Sequence, residues 1–320
     1  MKTVFIVNPK AGKKKNIEKL IQRIKKGAEN ISADVEIYQT KAVGDATRFV
    51  RDYCTVHGKA RFIACGGDGT LCEVLNGAID FAEAEIGVMP FGTGNDFVKN
   101  FDGCFDSVEA QILSVSEKCD AIKYTAKNSD ETTRVGYCAN MFNIGFDCNV
   151  VDAKESITEK TFFSGPLAYY LGIFTTLIKK KGADLEIEVD GKVVHKGKLL
   201  LTSIANGCYC GGGIKSNPRA CVHNSRMNVN IIKNISRITF IGILPHYMKG
   251  THMQKKGIEK VITNVSCEKL TLRPNGIMRI CNDGEITSAG DTTFEILHDA
   301  FNFVVPSVNA VQNTVDKQTV

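Results

Sequence analysis

Short apolar runs alternate with stretches of helical periodicity over roughly the first hundred residues, and this alternation constrains the fold most. A repeated strand–helix–strand order predicts a parallel sheet with helices on both faces, the doubly wound α/β class. Ligands of such sheets bind beyond the carboxyl ends of the strands. The predicted strands are Thr3–Val7, Val35–Tyr38, Arg61–Cys65 and Ile86–Met89, and the predicted helices are Asn16–Lys26, Asp45–Tyr53, Leu71–Ile79 and Val108–Leu113.

From about Asp120 onward, strand-like runs follow one another, separated by turn signals such as Asp190-Gly191 and Asn275-Gly276. A chain of 320 residues is longer than one core usually serves. We therefore predict an α/β nucleotide-binding domain over 1–119, which the segment 299–320 could rejoin, and an antiparallel β-sandwich over 120–298. The predicted strands of the second domain are Tyr137–Phe146, Leu185–Val189, Lys198–Ala205, Met227–Ile232, Lys269–Leu272 and Thr293–Leu297, with one helix-like stretch at Pro166–Lys180.

The net charge of +5 suits anionic small molecules or an anionic membrane surface, although solvated lysines are an equally good interpretation. Nucleic acid is disfavoured, because no aromatic residues interleave with the basic runs. Met1 precedes a strand rather than a signal peptide, and no apolar stretch approaches the ~20 residues of a spanning helix. We expect a cytoplasmic protein whose 12 cysteines are reduced thiols rather than metal ligands. The basic runs are Lys13–Lys15, Lys25–Lys26, Lys179–Lys181 and Lys255–Lys256.

Three turn-rich segments follow three predicted strands, so they share one edge of the predicted sheet. They read NPKAGKKK from Asn8, GGDGT from Gly66 and PFGTGND from Pro90. Glycines without a Cβ allow the backbone to approach a phosphate, and helix-start N–H groups face anions. One such segment is weak support, but three on one edge, two of them carrying an aspartate, predict a nucleotide site.

Asp68 cannot bind a phosphate directly, since both groups are anions. It would act through Mg²⁺, through a water molecule or as a base, and the sequence leaves these alternatives open. The segments contain no GxxxxGK[ST], and no GxGxxG follows the first strand. A P-loop kinase and a classical dehydrogenase are therefore disfavoured.

The stretch GGDGTLCEVLNG resembles the glycine-rich signature of the diacylglycerol-kinase catalytic family, which includes sphingosine and ceramide kinases. NPKAG is similar to the family's NPxSG, PFGTGNDF to its PxGTxNDF, and Thr40 with Gly44-Asp45-Ala46 to its threonine and GDA element. Gly165–Tyr170 (GPLAYY) and Asp283-Gly284-Glu285 (DGE) match later motifs, so the resemblance covers nearly the whole chain. GGDGT alone is shared with NAD kinases.

The resemblance implies a fold like that of NAD kinase and phosphofructokinase joined to a β-sandwich, with the active site in the cleft between the domains. It implies an ATP- and Mg²⁺-dependent lipid kinase, with Glu285 as proton acceptor, Asp68 and Asp283 as further catalytic candidates, and Asp68 with Asp96 organising Mg²⁺ and phosphates. The implied nucleotide-binding residues are Asn8, Pro9, Lys10, Ala11, Gly12, Thr40, Gly66, Gly67, Asp68, Gly69, Thr70, Thr93, Asn95 and Asp96.

Two positions depart from the family pattern. Ala11 stands where the family has a serine or threonine hydroxyl. Bacterial members hold a structural Mg²⁺ on an Asp-Asp-Gly element, which here reads His223-Asn224-Ser225-Arg226. Divalent metals prefer anionic oxygen ligands, so we expect no structural metal near Asn224, with backbone carbonyls as the alternative ligands.

The expected substrate is a membrane lipid alcohol, with diacylglycerol converted to phosphatidic acid as the leading candidate. The apolar stretch Pro166–Ile178 could line an acyl pocket or touch the membrane, although a buried helix explains it as well. An NAD kinase-like enzyme and a non-catalytic lipid-binding protein are the alternatives. The sequence leaves the oligomeric state open, a homodimer included.

Overall fold

A computed structural model describes residues 1–11, 15–92, 94–128, 130–145 and 182–312. Gly12, Thr93 and the stretch from Gly165 to Lys180 lie outside these ranges. The chain divides into two units. Unit 1 comprises Met1–Cys119 and the chain from Asp299 onward, and unit 2 comprises Asp120–His298.

Unit 1 contains a parallel sheet in the order β2-β1-β3-β4. The strands β1 and β3 are apolar runs without alternation, as expected for strands covered by helices on both faces. The end of β15 adds a parallel neighbour to β4 through Asn302 and Phe303. The elements are β1 (Lys2–Val7), α1 (Lys15–Asn30), β2 (Val35–Gln39), α2 (Asp45–His57), β3 (Ala60–Gly66), α3 (Asp68–Ala78), β4 (Glu85–Pro90) and α4 (Val108–Leu113), with a 3₁₀ turn at Phe97–Asn100.

Unit 2 is built mainly from antiparallel strands. The strands β5 and β15 each begin in one unit and end in the other along the chain. The elements are β5 (Ser116–Lys127), β6 (Thr133–Cys138), β7 (Met141–Gly145), β8 (Ala183–Val189), β9 (Lys192–Ala205), β10 (Met227–Lys233), α5 (Arg237–Lys249), β11 (Ile262–Cys267), β12 (Lys269–Pro274), β13 (Met278–Asn282), β14 (Glu285–Ala289) and β15 (Thr292–Val304).

The long strand β9 joins two layers of unit 2. Its first half pairs with β8, and its second half pairs with β7 on one side and β10 on the other. Buried side chains of both layers, among them Phe142, Ile204, Ile187, Leu270 and Phe294, form one apolar core. This is the arrangement of a β-sandwich, so the predicted fold class is confirmed.

Several elements differ from the sequence-based expectations. The predicted strand Tyr137–Phe146 is two strands, β6 and β7, as far as the described residues reach. Asn140 lies between them, and its carbonyl oxygen accepts the backbone N–H groups of Asn206 and Gly207 instead of continuing a ladder. The helix α5 was not predicted, because its apolar residues lie on two opposite faces and give no simple helical period.

Candidate active site

The first two turns of α3 form the centre of the candidate nucleotide site in unit 1. The helix begins at Asp68, earlier than the predicted Leu71, and Gly67 is its N-cap. Asp68, Thr70 and Glu73 each bind a different neighbouring segment, as the next paragraphs describe. We call these three residues the α3 hub.

Asp68 holds the segment that follows β4. Its Oδ1 accepts the backbone N–H of Asp96 at 2.7 Å and that of Phe97 at 3.3 Å. Burial and, after it, the nearby Asp96 carboxylate raise the pKa of Asp68 to about 6, although the two N–H groups lower it. A carboxylate whose charged form is disfavoured by its surroundings does not stabilise the fold in that form, so it is a candidate for a functional role.

Thr70 holds the segment that follows β1. Its Oγ1 accepts a hydrogen bond from Asn8 Nδ2 at 3.1 Å. Asn8 also donates its backbone N–H to Cys65 O and accepts the N–H of Lys10 through Oδ1. The predicted segment Asn8–Ala11 is therefore fixed beside the GGDGT stretch, as far as the described residues reach.

Glu73 holds the segment between β2 and α2, and the sequence interpretation missed it. Its two carboxylate oxygens accept the backbone N–H groups of Gly44 at 2.9 Å and Ala46 at 3.1 Å. They replace the side-chain cap that Gly44 cannot supply at the start of α2. Thr40 lies in the same segment, where its N–H donates to Val7 O.

The segments after β3 and β4 touch through their backbones. Gly66 O accepts the N–H groups of Phe91 and Gly92. A Cβ atom at Gly92 would lie only 2.5 Å from Gly67 Cα and 3.0 Å from Gly67 N. The glycine at position 92 is thus required by close backbone approach.

Gly92→Ala is expected to force these segments apart and, if their N–H groups bind the phosphates as predicted, to lower nucleotide affinity at least about tenfold. Titration with a fluorescent ATP analogue would measure the loss. Gly242→Ala is the matched control, because a Cβ there meets nothing within 4 Å. Equal affinities of the two variants would contradict the close-approach argument.

Two carboxylates converge beside Gly94. A Cβ atom at Gly94 would lie 2.8 Å from Asp68 Oδ2 and 3.5 Å from Asp96 Oδ2. Asp96 is buried, and its Oδ1 lies 2.6 Å from Lys99 Nζ, which also donates to Gly94 O. Burial and then repulsion by Asp96 raise the pKa of Asp68, and a divalent cation bound between the two carboxylates would offset both effects. The two aspartates therefore fit a nucleotide-bound Mg²⁺.

Asn95 presents an acceptor within the same segment. It has a positive φ of 50°, and its Nδ2 donates to Gly92 O at 2.8 Å. Its buried Oδ1 has no hydrogen-bond partner among the described residues. A ligand hydroxyl or amine would satisfy this oxygen.

The DGE motif forms a tight turn between β13 and β14 in unit 2. Asp283 and Gly284 have φ values of 45° and 95°, typical of a two-residue type I′ hairpin. The Asp283 carboxylate accepts the N–H of Met141 and the thiol of Cys138, so it anchors the turn. Glu285 is the first residue of β14 and is exposed. Asp283 thus holds the turn in place, Glu285 is exposed at its end, and the catalytic roles predicted for both stay predictions.

The region expected to lack a structural metal surrounds Asp120, which is fully buried in β5. Its Oδ2 accepts the backbone N–H of Ser225 at 2.6 Å, and its Oδ1 lies 3.2 Å from His298 Nδ1. Asn224 Oδ1 accepts the N–H of Arg226. The Asp120 carboxylate is accompanied there by amide, hydroxyl and imidazole groups, whereas Mg²⁺ prefers several anionic oxygen ligands. The expectation of no structural metal near Asn224 stays a prediction.

His298→Ala is expected to lower the melting temperature by roughly 2–4 °C, because the buried Asp120 carboxylate loses a partner. EDTA is expected to leave the melting temperature of the wild-type protein unchanged. His195→Ala is the matched control, because the His195 ring has Gly197 O as its hydrogen-bond partner and no carboxylate partner among the described residues. A clear destabilisation by EDTA would instead indicate a bound metal.

Comparison with known proteins adds family relationships. Residues 2–129 match the diacylglycerol kinase catalytic domain, and residues 141–305 match the YegS C-terminal NAD kinase beta sandwich-like domain. The chain is 25% identical to a diacylglycerol kinase of Bacillus subtilis strain 168, over 96% of this chain and 97% of the relative. It is 31% identical to a diacylglycerol kinase of Staphylococcus aureus strain JH9, over 62% and 59% of the two chains.

A solved structure shares the fold across the same length. The crystal structure of a diacylglycerol kinase from Bacillus anthracis str. Sterne superposes with a TM-score of 0.67 at 19% identity, covering 95% of this chain and 96% of the other. Together with the domain matches, this extends the resemblance seen in the motifs over both units. The chain belongs to the diacylglycerol kinase-like family of lipid kinases, enzymes that transfer a phosphoryl group to an alcohol.

Proposed function

We propose that the protein transfers the γ-phosphoryl group of ATP to the hydroxyl of a membrane lipid, converting diacylglycerol to phosphatidic acid. The main support for this proposal is that the Asp68 and Asp96 carboxylates converge beside Gly94, in segments that the α3 hub holds in place. Backbone N–H groups and a cation suit a triphosphate, because phosphoryl transfer depends mainly on positioning and charge neutralisation.

Each participating group has an assigned role in this proposal. The lipid hydroxyl oxygen attacks the γ-phosphorus, its proton passes to Glu285, and the bond to the β,γ-bridging oxygen breaks to release ADP. Mg²⁺ held by Asp68 and Asp96 would neutralise phosphate charge. Asn95 Oδ1, the buried acceptor without a partner among the described residues, would receive a donor from the nucleotide.

We further propose that the protein works in the cytoplasm and meets its substrate by peripheral contact with the membrane. The described residues contain no helix long and apolar enough to cross a bilayer. A lipid substrate would then have to be reached from the membrane surface.

Incubation with γ-labelled ATP and Mg²⁺ tests the proposal directly. Diacylglycerol, a sphingoid base, a polyprenol and NAD are offered in parallel, each in detergent micelles or buffer. Label on diacylglycerol in the organic phase is the expected result. Label on NAD would support an NAD kinase-like enzyme, and retention of lipid without transfer would support a non-catalytic binding protein.

A further inference from the structure

The helix α5 carries apolar residues on two opposite faces. It starts after Ser236, whose side chain accepts the N–H of Thr239, and it ends at Gly250 in the left-handed conformation. Phe240, Ile243 and Tyr247 are buried in the apolar cluster of unit 2. Leu244 and Met248 are partly buried against the same cluster, and these contacts attach the helix to its unit.

The opposite face is apolar and exposed. Ile238 is 84% exposed, Ile241 is 53% exposed, and Pro245 is exposed as well. The spacing i, i+3, i+7 places these three residues in one row, which we call the α5 row. Ile238 and Ile241 are β-branched, which lowers helix propensity, and each is more than half exposed, so burial in the core does not explain the row.

Positive charges surround the α5 row in the sequence and lie at the surface. Between residues 233 and 260 only one acidic residue, Glu259, accompanies them. The five lysines of this set make no salt bridge within the described part of the chain, although Lys255 Nζ donates to Gly242 O. The exposed basic residues are Lys233, Arg237, Lys249, Lys255, Lys256 and Lys260.

We propose that the α5 row and these basic residues dock the protein on an anionic phospholipid bilayer. Apolar side chains enter the boundary between headgroups and acyl chains, while lysines remain at the level of the anionic headgroups. The inference rests on the proposed function, because a lipid kinase must reach a substrate held in a membrane.

A second copy of the chain is a poorer occupant of this surface. A twofold interface would place the same lysines of both copies near one another, and like charges in an interface cost free energy. An anionic bilayer instead complements both the apolar row and its positive border.

Co-sedimentation of the full-length protein with vesicles tests the docking surface. We expect binding to vesicles of phosphatidylcholine with phosphatidylglycerol, and much weaker binding to phosphatidylcholine alone. Ile238→Ser with Ile241→Ser should lower the partition coefficient at least about tenfold, since both side chains lose apolar burial. Val193→Ser, at a 49% exposed apolar residue of the same unit, is the control that should bind like the wild type.

A second double variant tests the contribution of the lysines to vesicle binding. Lys249→Glu with Lys256→Glu should lower the partition coefficient at least about 25-fold, roughly fivefold per lysine removed, and rising salt should weaken binding of the wild type. Unchanged binding by both double variants would overturn the docking surface. The proposal would also be overturned if the wild type does not bind vesicles and forms a dimer that Ile238→Ser with Ile241→Ser dissociates. The α5 row would then be an interface between two copies of the chain.

The vesicle-binding and phosphoryl-transfer experiments can fail independently of each other. A wild-type protein that binds anionic vesicles through α5 but transfers no phosphate refutes the kinase proposal alone. A protein that phosphorylates diacylglycerol in micelles, while both double variants bind vesicles normally, refutes the docking surface alone.

Discussion

Glu285→Gln is expected to lower kcat by roughly 10²–10⁴-fold, the usual loss when a positioned general base is removed. Nucleotide affinity should be unchanged, because the groups assigned to the nucleotide lie in unit 1. Single-turnover rates with labelled ATP, beside equilibrium binding of an ATP analogue, would separate the two quantities.

The local structure explains why this carboxylate is suited to the role. The preceding turn is rigid, since Asp283 binds the backbone of Met141 and the thiol of Cys138. Glu285 itself is exposed at the start of β14. An exposed carboxylate on an anchored turn can accept a proton without moving the backbone.

Glu131→Gln is the control for this experiment, since Glu131 is also an exposed carboxylate in a turn of unit 2. It should retain the wild-type rate. Normal turnover by Glu285→Gln would remove Glu285 from the reaction. A loss of nucleotide affinity equal to the loss of rate would show that Glu285 acts in binding instead.

Asp68→Asn is expected to abolish most turnover and, at the same time, to stabilise the nucleotide-free protein at neutral pH. The pKa of Asp68 is raised to about 6 in the folded protein, above its ordinary value. The folded state therefore binds more protons than the unfolded state between about pH 4 and pH 6, and stability falls as the pH rises through this range.

Above pH 6 the destabilisation by ionised Asp68 is complete, so the variant should differ most from the wild type there. We expect a gain of roughly 1–2 kcal/mol in the free energy of unfolding, less than the full shift implies because Asp68 keeps part of its surface in solvent. The asparagine oxygen can still accept the N–H of Asp96, so the α3 hub stays intact.

Urea denaturation at pH 7.5 and pH 4.5, with the exposed Asp52→Asn as control, measures this effect. The stabilisation should be present at the higher pH and largely absent at the lower one. A variant that is destabilised at pH 7.5 would show that Asp68 serves the fold more than the chemistry.

The sequence was sufficient to predict the parallel sheet and the glycine-rich segments at the ends of β1, β3 and β4, because buried parallel strands and their turns have strong local patterns. It did not reveal Glu73, since nothing local indicates that a helical carboxylate caps the start of another helix. The α5 row was equally hidden, because apolar residues on both faces cancel the periodicity that sequence reading depends on. Which lipid is phosphorylated depends on pocket shape, which residue spacing does not supply.

The α3 hub also has a consequence for sequence divergence. The side chains of Asp68 and Glu73 accept main-chain N–H groups of neighbouring segments, and that of Thr70 accepts the side chain of Asn8. Side chains between these contact points could then vary without displacing the backbone that we propose faces the phosphates. We expect relatives that keep Asp68, Thr70 and Glu73, but differ in the sequences of the neighbouring segments, to bind the same nucleotide.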